Sequence, residues 1–189
     1  MGSFNNIMDI KNTFNTLKPL GVLFLMLILM SCPGNETDCF DFGSIAEVPN
    51  LIQLTPAEQT TYTAGDEMVL KVSVPATNTY YGVEKNLYAL TGDESAKLVL
   101  NFSQPFLDNQ LIFIKGSQSD NPNWFDVPYN TLTDMYELEV RVILNRLGDY
   151  SFIRLGSVHI QGDEYCNRFR LDTNVNWVTT NGKIEFTVQ

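Results

Sequence analysis

The chain is short of histidine, cysteine and positive charge. One histidine and three cysteines stand among 189 residues, and 12 Lys and Arg face 22 Asp and Glu. A single imidazole leaves no paired histidines of the kind zinc sites use, and no cofactor is expected. His159 lies in Gly156-Ser157-Val158-His159-Ile160, which reads as a strand. A Ser/His/Asp site would have to be built around it, and no Gly-x-Ser-x-Gly turn is present to hold a nucleophile. No enzyme is expected. The formal net charge of −10 argues against holding nucleic acid, whose binding rests on counterion release by Lys and Arg.

Long apolar runs are also scarce. The longest, residues 20–30, reads LGVLFLMLILM and carries no charge. As a helix it spans about 16 Å, roughly half the hydrocarbon thickness of a bilayer. It is too short for a comfortable membrane span. Lys11 and Lys18 precede it and a small residue, Ser31, ends it, which suits a helical secretory signal. Met8 is a second candidate start and gives a signal of more usual length.

The motif Leu29-Met30-Ser31-Cys32 resembles the lipobox of bacterial lipoproteins. The resemblance implies lipidation of Cys32, cleavage before it and acylation, palmitate included, of the new amine. It divides the chain into a signal peptide (residues 1–31), a short tether (residues 32–48) and one domain (residues 49–189). Removing the signal takes 2 of the 12 basic and 1 of the 22 acidic residues, leaving 10 against 21. So acidic a surface is repelled by anionic lipid, so the membrane would be held by the acyl chains. The general style resembles small outer-membrane lipoproteins of Bacteroidota. Pro33 follows Cys32, so the acidic inner-membrane retention signal is missing. The outer membrane is the expected location, on either the periplasmic or the surface face.

Export would place Cys39 and Cys166 in an oxidising compartment, where an even pair reads as a disulfide. Closing a loop of more than 100 residues is worth about 5 kcal/mol by chain entropy. It would also hold the domain within about 25 Å of Cys32, the reach of seven extended residues.

Helical periodicity is almost absent after residue 49, and strand alternation replaces it. Met68, Leu70, Val72 and Val74 alternate with polar or smaller residues, as do Tyr136, Leu138, Val140 and Val142. Ile184, Phe186 and Val188 do the same near the C-terminus. Residues 111–114 are apolar on both faces and predict a central strand. Residues 86–90 and 97–102 predict two strands broken at Thr91-Gly92-Asp93. Asn181-Gly182 predicts a hairpin pairing residues 176–180 with 183–188. Such spacing predicts an all-β sandwich. Leu144-x-x-Leu147-Gly148-Asp149-Tyr150 resembles the approach to the penultimate strand of immunoglobulin-like domains, where a tyrosine hydroxyl bonds back to the corner. The expectation is an immunoglobulin-like β-sandwich with extra strands; a lipocalin-like barrel is the alternative.

One stretch has the chemistry of a binding surface. Residues 117–130, SQSDNPNWFDVPYN, read as a long loop holding Trp124, Phe125 and Tyr129 among Asp120, Asn123 and Asp126. Aromatic faces beside amides and carboxylates suit a sugar. Folding of Trp124 and Phe125 back onto the sandwich is the alternative. The acidic residues do not have the spacing of an EF-hand, and no metal is expected. The expected function is a non-enzymatic binding or accessory subunit at the envelope. Its partners are the membrane and either an envelope protein or a glycan bound at residues 117–130.

Overall fold

A computed structural model describes residues 45–101, 104–163, 167–177 and 181–189. The readings that fall on Cys32, Cys39 and Cys166, and on the signal, lie outside the described residues.

The described chain is all-β in character. Its elements run β1 (Ala46–Glu47), β2 (Ile52–Thr55), β3 (Thr61–Tyr62), β4 (Glu67–Pro75), β5 (Thr77–Tyr80), β6 (Val83–Asn86), α1 (Leu87–Thr91) and β7 (Ser95–Leu100). Then come α2 (Gln104–Asp108), β8 (Gln110–Lys115), β9 (Ser117–Gln118), β10 (Trp124–Asn130), β11 (Met135–Ile143), β12 (Gly148–Ile153), β13 (Leu155–Gln161), β14 (Arg168–Asn174) and β15 (Lys183–Val188). Among the described residues the first paired ones, Ala46 and Glu47, lie inside the stretch read as tether.

A ten-stranded sheet follows the order β1-β14-β13-β7-β10-β11-β4-β2, with β8 on β11 and β9 on β10. The strand β10 changes partner along its length. It pairs with β7 over Trp124 to Pro128 and with β11 at Tyr129 and Asn130. The longest ladder joins β4 to β11 over nine residue pairs. Its inward side chains, including Leu70, Val72, Leu138 and Val140, are 1% exposed or less and belong to one core cluster. Each such side chain contributes about 1.5–3 kcal/mol by burial. Its outward side carries cross-strand ion pairs, Lys71 to Glu139 at 3.2 Å and Arg141 to Glu67. These are solvated and worth little beside the core.

A second sheet orders β12-β15-β3, with β3 parallel to β15. Its aromatic face holds Tyr150 stacked on Phe186 at 5.1 Å and Tyr62 edge-on to Phe186 at 5.3 Å. The Tyr150 hydroxyl donates to the carbonyl of Arg146, four residues upstream, at 2.7 Å. From α2, Phe106 packs edge-on against both Phe125 of β10 and Phe152 of β12, at 6.0 and 5.9 Å.

Three expectations are corrected. Residues 117–130 are not a loop: β9 and β10 pair across a short turn. Residues 111–114 are not central. Among the described residues β8 has one neighbouring strand, and a bulge between Phe113 and Lys115 leaves Ile114 53% exposed. Residues 86–90 are not a strand. The Asn86 side chain caps α1 by accepting from the Ala89 N–H at 2.7 Å, and Gly92 ends it at φ 64°. The turn at Asn181-Gly182 forms, with the Lys183 N–H donating to the Asn181 side chain at 3.0 Å; the strand expected over residues 176–180 lies partly outside the described residues. Strand β15 pairs with β12 over Lys183–Val188 and with β3 at Thr187 and Val188.

Two backbone positions matter for the site. Tyr81 takes φ 55° in the β5–β6 turn, and its hydroxyl donates to the Arg170 carbonyl at 2.9 Å, capping the edge of β14 beyond β1. Gly116 takes φ 81° where β8 hands over to β9. A Cβ there would lie 2.3 Å from the carbonyl oxygen of Asp126 and 2.6 Å from Leu138.

Candidate functional site

The alternation of β10 sorts the expected residues onto two faces. Phe125 points inward and is fully buried. Tyr129 is also turned inward, its ring 3.7 Å from that of Tyr88 and nearly parallel to it. Its hydroxyl donates to Asp134 at 2.7 Å, and that bond holds its pKa above the usual tyrosine value. Trp124 and Asp126 face outward. Asp120 lies exposed in the turn, apart from the others. Asn123 sits at the start of β10, beside Trp124.

The sheet register builds a polar surface around Trp124. Across β7, Trp124 opposes Val99 and Asp126 opposes Lys97. Across β13, Val99 opposes Ser157 and Lys97 opposes His159. The next strand places Asp172 opposite Ser157 and Arg170 opposite His159. The Trp124 and His159 rings stack at 6.3 Å. Lys97 donates to Asp126, and Ser117 donates to the same carboxylate at 2.9 Å. Burial alone would raise the pKa of Asp126, but these two hydrogen bonds outweigh it and lower the value. The Asp126 carboxylate is therefore an internal counter-ion.

Ser157 and His159 form a hydrogen bond of 2.9 Å between Oγ and Nε2. A neutral imidazole beside a hydroxyl is half of a nucleophilic centre. The Ser157 residue is only 8% exposed, and β13 is paired on both edges here. An acyl substrate would find the hydroxyl covered and the adjacent backbone committed to the ladder.

Burial, then the charge of Arg170, lowers the His159 pKa, against a smaller opposing effect of Asp172. The folded state thus prefers neutral His159. As pH falls through about 6.5 the unfolded chain takes up its proton first. The stabilisation is full above that pH and is lost as pH drops through the lowered folded value. Urea midpoints are expected to fall between pH 7 and 5.5, and His159→Gln to flatten that part of the profile. Equal slopes for both proteins would refute the assignment.

Beside Trp124 the surface opens into a cleft of about 780 Å³. Its apolar wall is formed by Val99 and Trp124 on the large sheet, Leu107 of α2 and Ile153 of β12. Polar groups on its lining come from Asn101, Asn123, Ser151 and Lys183. Two of the sequence-derived residues, Trp124 and Asn123, meet here. Phe125 belongs to the core, and Tyr129 borders a different depression with Lys115 and Glu137. Sequence reasoning missed Asn101, Ser151 and Lys183 as a group, because they come from the end of β7, from within β12 and from the start of β15. No group of three or more His, Cys, Asp or Glu is arranged to hold a metal among the described residues. The chain matches no protein-family model and none of the curated proteins.

Proposed function

We propose that this chain is a lipid-anchored binding protein of the bacterial envelope, and that the cleft at Trp124 takes a glycan. The observation that carries this is the cleft's composition: an aromatic face and aliphatic wall beside two side-chain amides, a hydroxyl and an ammonium. A sugar offers the complement, with apolar ring faces for stacking and hydroxyls for the amides. A pocket of this size suits one to three sugar units. The lipobox at Cys32 supports the anchor. The parallel β3–β15 pairing and the Tyr150 corner bond support the immunoglobulin-like assignment. Fourteen residues separate Cys32 from the first paired residue, Ala46, so the domain reaches at most about 50 Å from the lipid. A Cys39–Cys166 bond would halve that.

Trp177 is 6% exposed, which leaves Trp124 as the solvent-sensitive fluorophore. Titration with a panel of neutral and acidic oligosaccharides is expected to quench or shift that emission for at least one sugar. A flat response across the panel overturns the reading.

A second reading, docking of an envelope protein, is favoured by the single-neighbour strand β8 with Ile114 exposed. Crosslinking on intact cells that returns only monomer would count against it.

A further inference from the structure

We infer that the glycan taken by the Trp124 cleft is acidic, its carboxylate or sulfate held by Lys183, with Arg154 as the adjacent cation along the chain fold. This rests on the glycan reading above and names the ligand's charge.

The argument begins with the cations. Ten Lys and Arg follow residue 45, in a chain of net charge −10. Six of them, at 71, 97, 115, 141, 146 and 170, make ion pairs with carboxylates. Lys85 and Arg168 have other interactions. Arg154 and Lys183 remain, and neither has a carboxylate partner among the described residues. A surplus of acid makes an unpaired cation the exception, and the two exceptions are neighbours. Lys183 opposes Ile153 at the start of β15, and the Arg154 N–H donates to the Gly182 carbonyl at 3.1 Å.

Their position is the second observation. Lys183 lines the Trp124 cleft, and no carboxylate does so among the described residues. The nearest acid along β15, Glu185, accepts from Ser151 at 3.5 Å and lines a separate groove. The cleft lining therefore carries one ammonium and no carboxylate, on an anionic molecule. Beyond a Debye length of about 8 Å the surrounding negative charge is screened at physiological salt. An anionic group seated beside Lys183 meets that ammonium directly, while Glu185, the nearest acid along β15, faces the adjoining groove that shares Ser151. The aromatic face fixes the ring; Lys183 selects its charge. Lysine offers a carboxylate or sulfate a point charge with three rotatable donors.

The test uses matched probes on the whole processed protein, followed by calorimetry and by Trp124 fluorescence. One pair is an oligogalacturonate and its methyl ester. The other is a chondroitin sulfate hexasaccharide and its desulfated, carboxyl-methylated form. The charged member of at least one pair is expected to bind about tenfold or more tighter than its neutral counterpart, and to weaken as salt rises. Which pair responds distinguishes carboxylate from sulfate. The double variant Arg154→Gln/Lys183→Gln is expected to remove that preference while its thermal midpoint stays within a few degrees of the parent. Equal binding of charged and neutral members overturns the acidic assignment and leaves the cleft reading standing. So does a preference that survives the double variant. Silence from every probe overturns both.

Discussion

Replacing Gly116 with alanine is expected to lower the stability of the domain by about 2–5 kcal/mol, read as a drop in the urea midpoint. Two costs add. The residue sits at φ 81°, where an L side chain loses about 1–2 kcal/mol. The new Cβ would also meet the Asp126 carbonyl at 2.3 Å and Leu138 at 2.6 Å. The first of these is backbone inside the β9–β10 ladder, so relief requires one strand to move off the other. Overpacking of that kind costs about 1–3 kcal/mol. Gly182→Ala is the control. Its φ is 74° and nothing lies within 4 Å of its added Cβ, so it should lose the conformational part alone. Equal losses at the two positions would show that Gly116 is not a crossing point.

That crossing explains where the sequence could be read and where it could not. Strands β4, β11 and β15 bury one face and expose the other, and their alternation shows it. Strand β10 alternates as well: Phe125, Val127 and Tyr129 turn inward while Trp124, Asp126 and Pro128 turn outward. The outward tryptophan and the proline hid the period, because both look like loop residues in isolation. Pro128 is tolerated because β10 changes neighbours there, from β7 to β11. Strand β8 deceived in the other direction. Its outward Ile112 and bulged Ile114 imitate a strand buried on both faces. The short helix α1 had its signals, an Asn at one end and a Gly at the other, but five residues leave no room for helical periodicity. Half of the site was legible for a similar reason. An aromatic beside amides is a local pattern, and Trp124 with Asn123 carried it. Lys183 and Ser151 reach the cleft through the β12–β15 ladder, a pairing of residues 30 to 40 apart that no local pattern announces.

Adjacent residues of β10 are expected to separate stability from binding. Phe125→Ala should cost about 3–5 kcal/mol. Its ring is fully buried and touches two others, Phe106 edge-on at 6.0 Å and Phe113 at 6.3 Å. Phe106 in turn packs on Phe152 of the second sheet, so the cavity would loosen the contact that holds α2 between β10 and β12. Trp124→Ala, one position earlier, removes an outward ring whose described aromatic contact is the His159 stack. It should cost about 1 kcal/mol, in the range of partly exposed substitutions. Its effect on the glycan is expected to be the larger one. Loss of an aromatic platform removes about 1–3 kcal/mol of stacking, a tenfold to hundredfold weakening seen by calorimetry. The two variants should therefore move in opposite directions on two axes: Phe125→Ala unfolds early, and Trp124→Ala stays folded but binds poorly. If Trp124→Ala were the more destabilised of the two, the ring would be a structural cap on the sheet rather than a binding face. If it bound as tightly as the parent, the cleft would lie elsewhere.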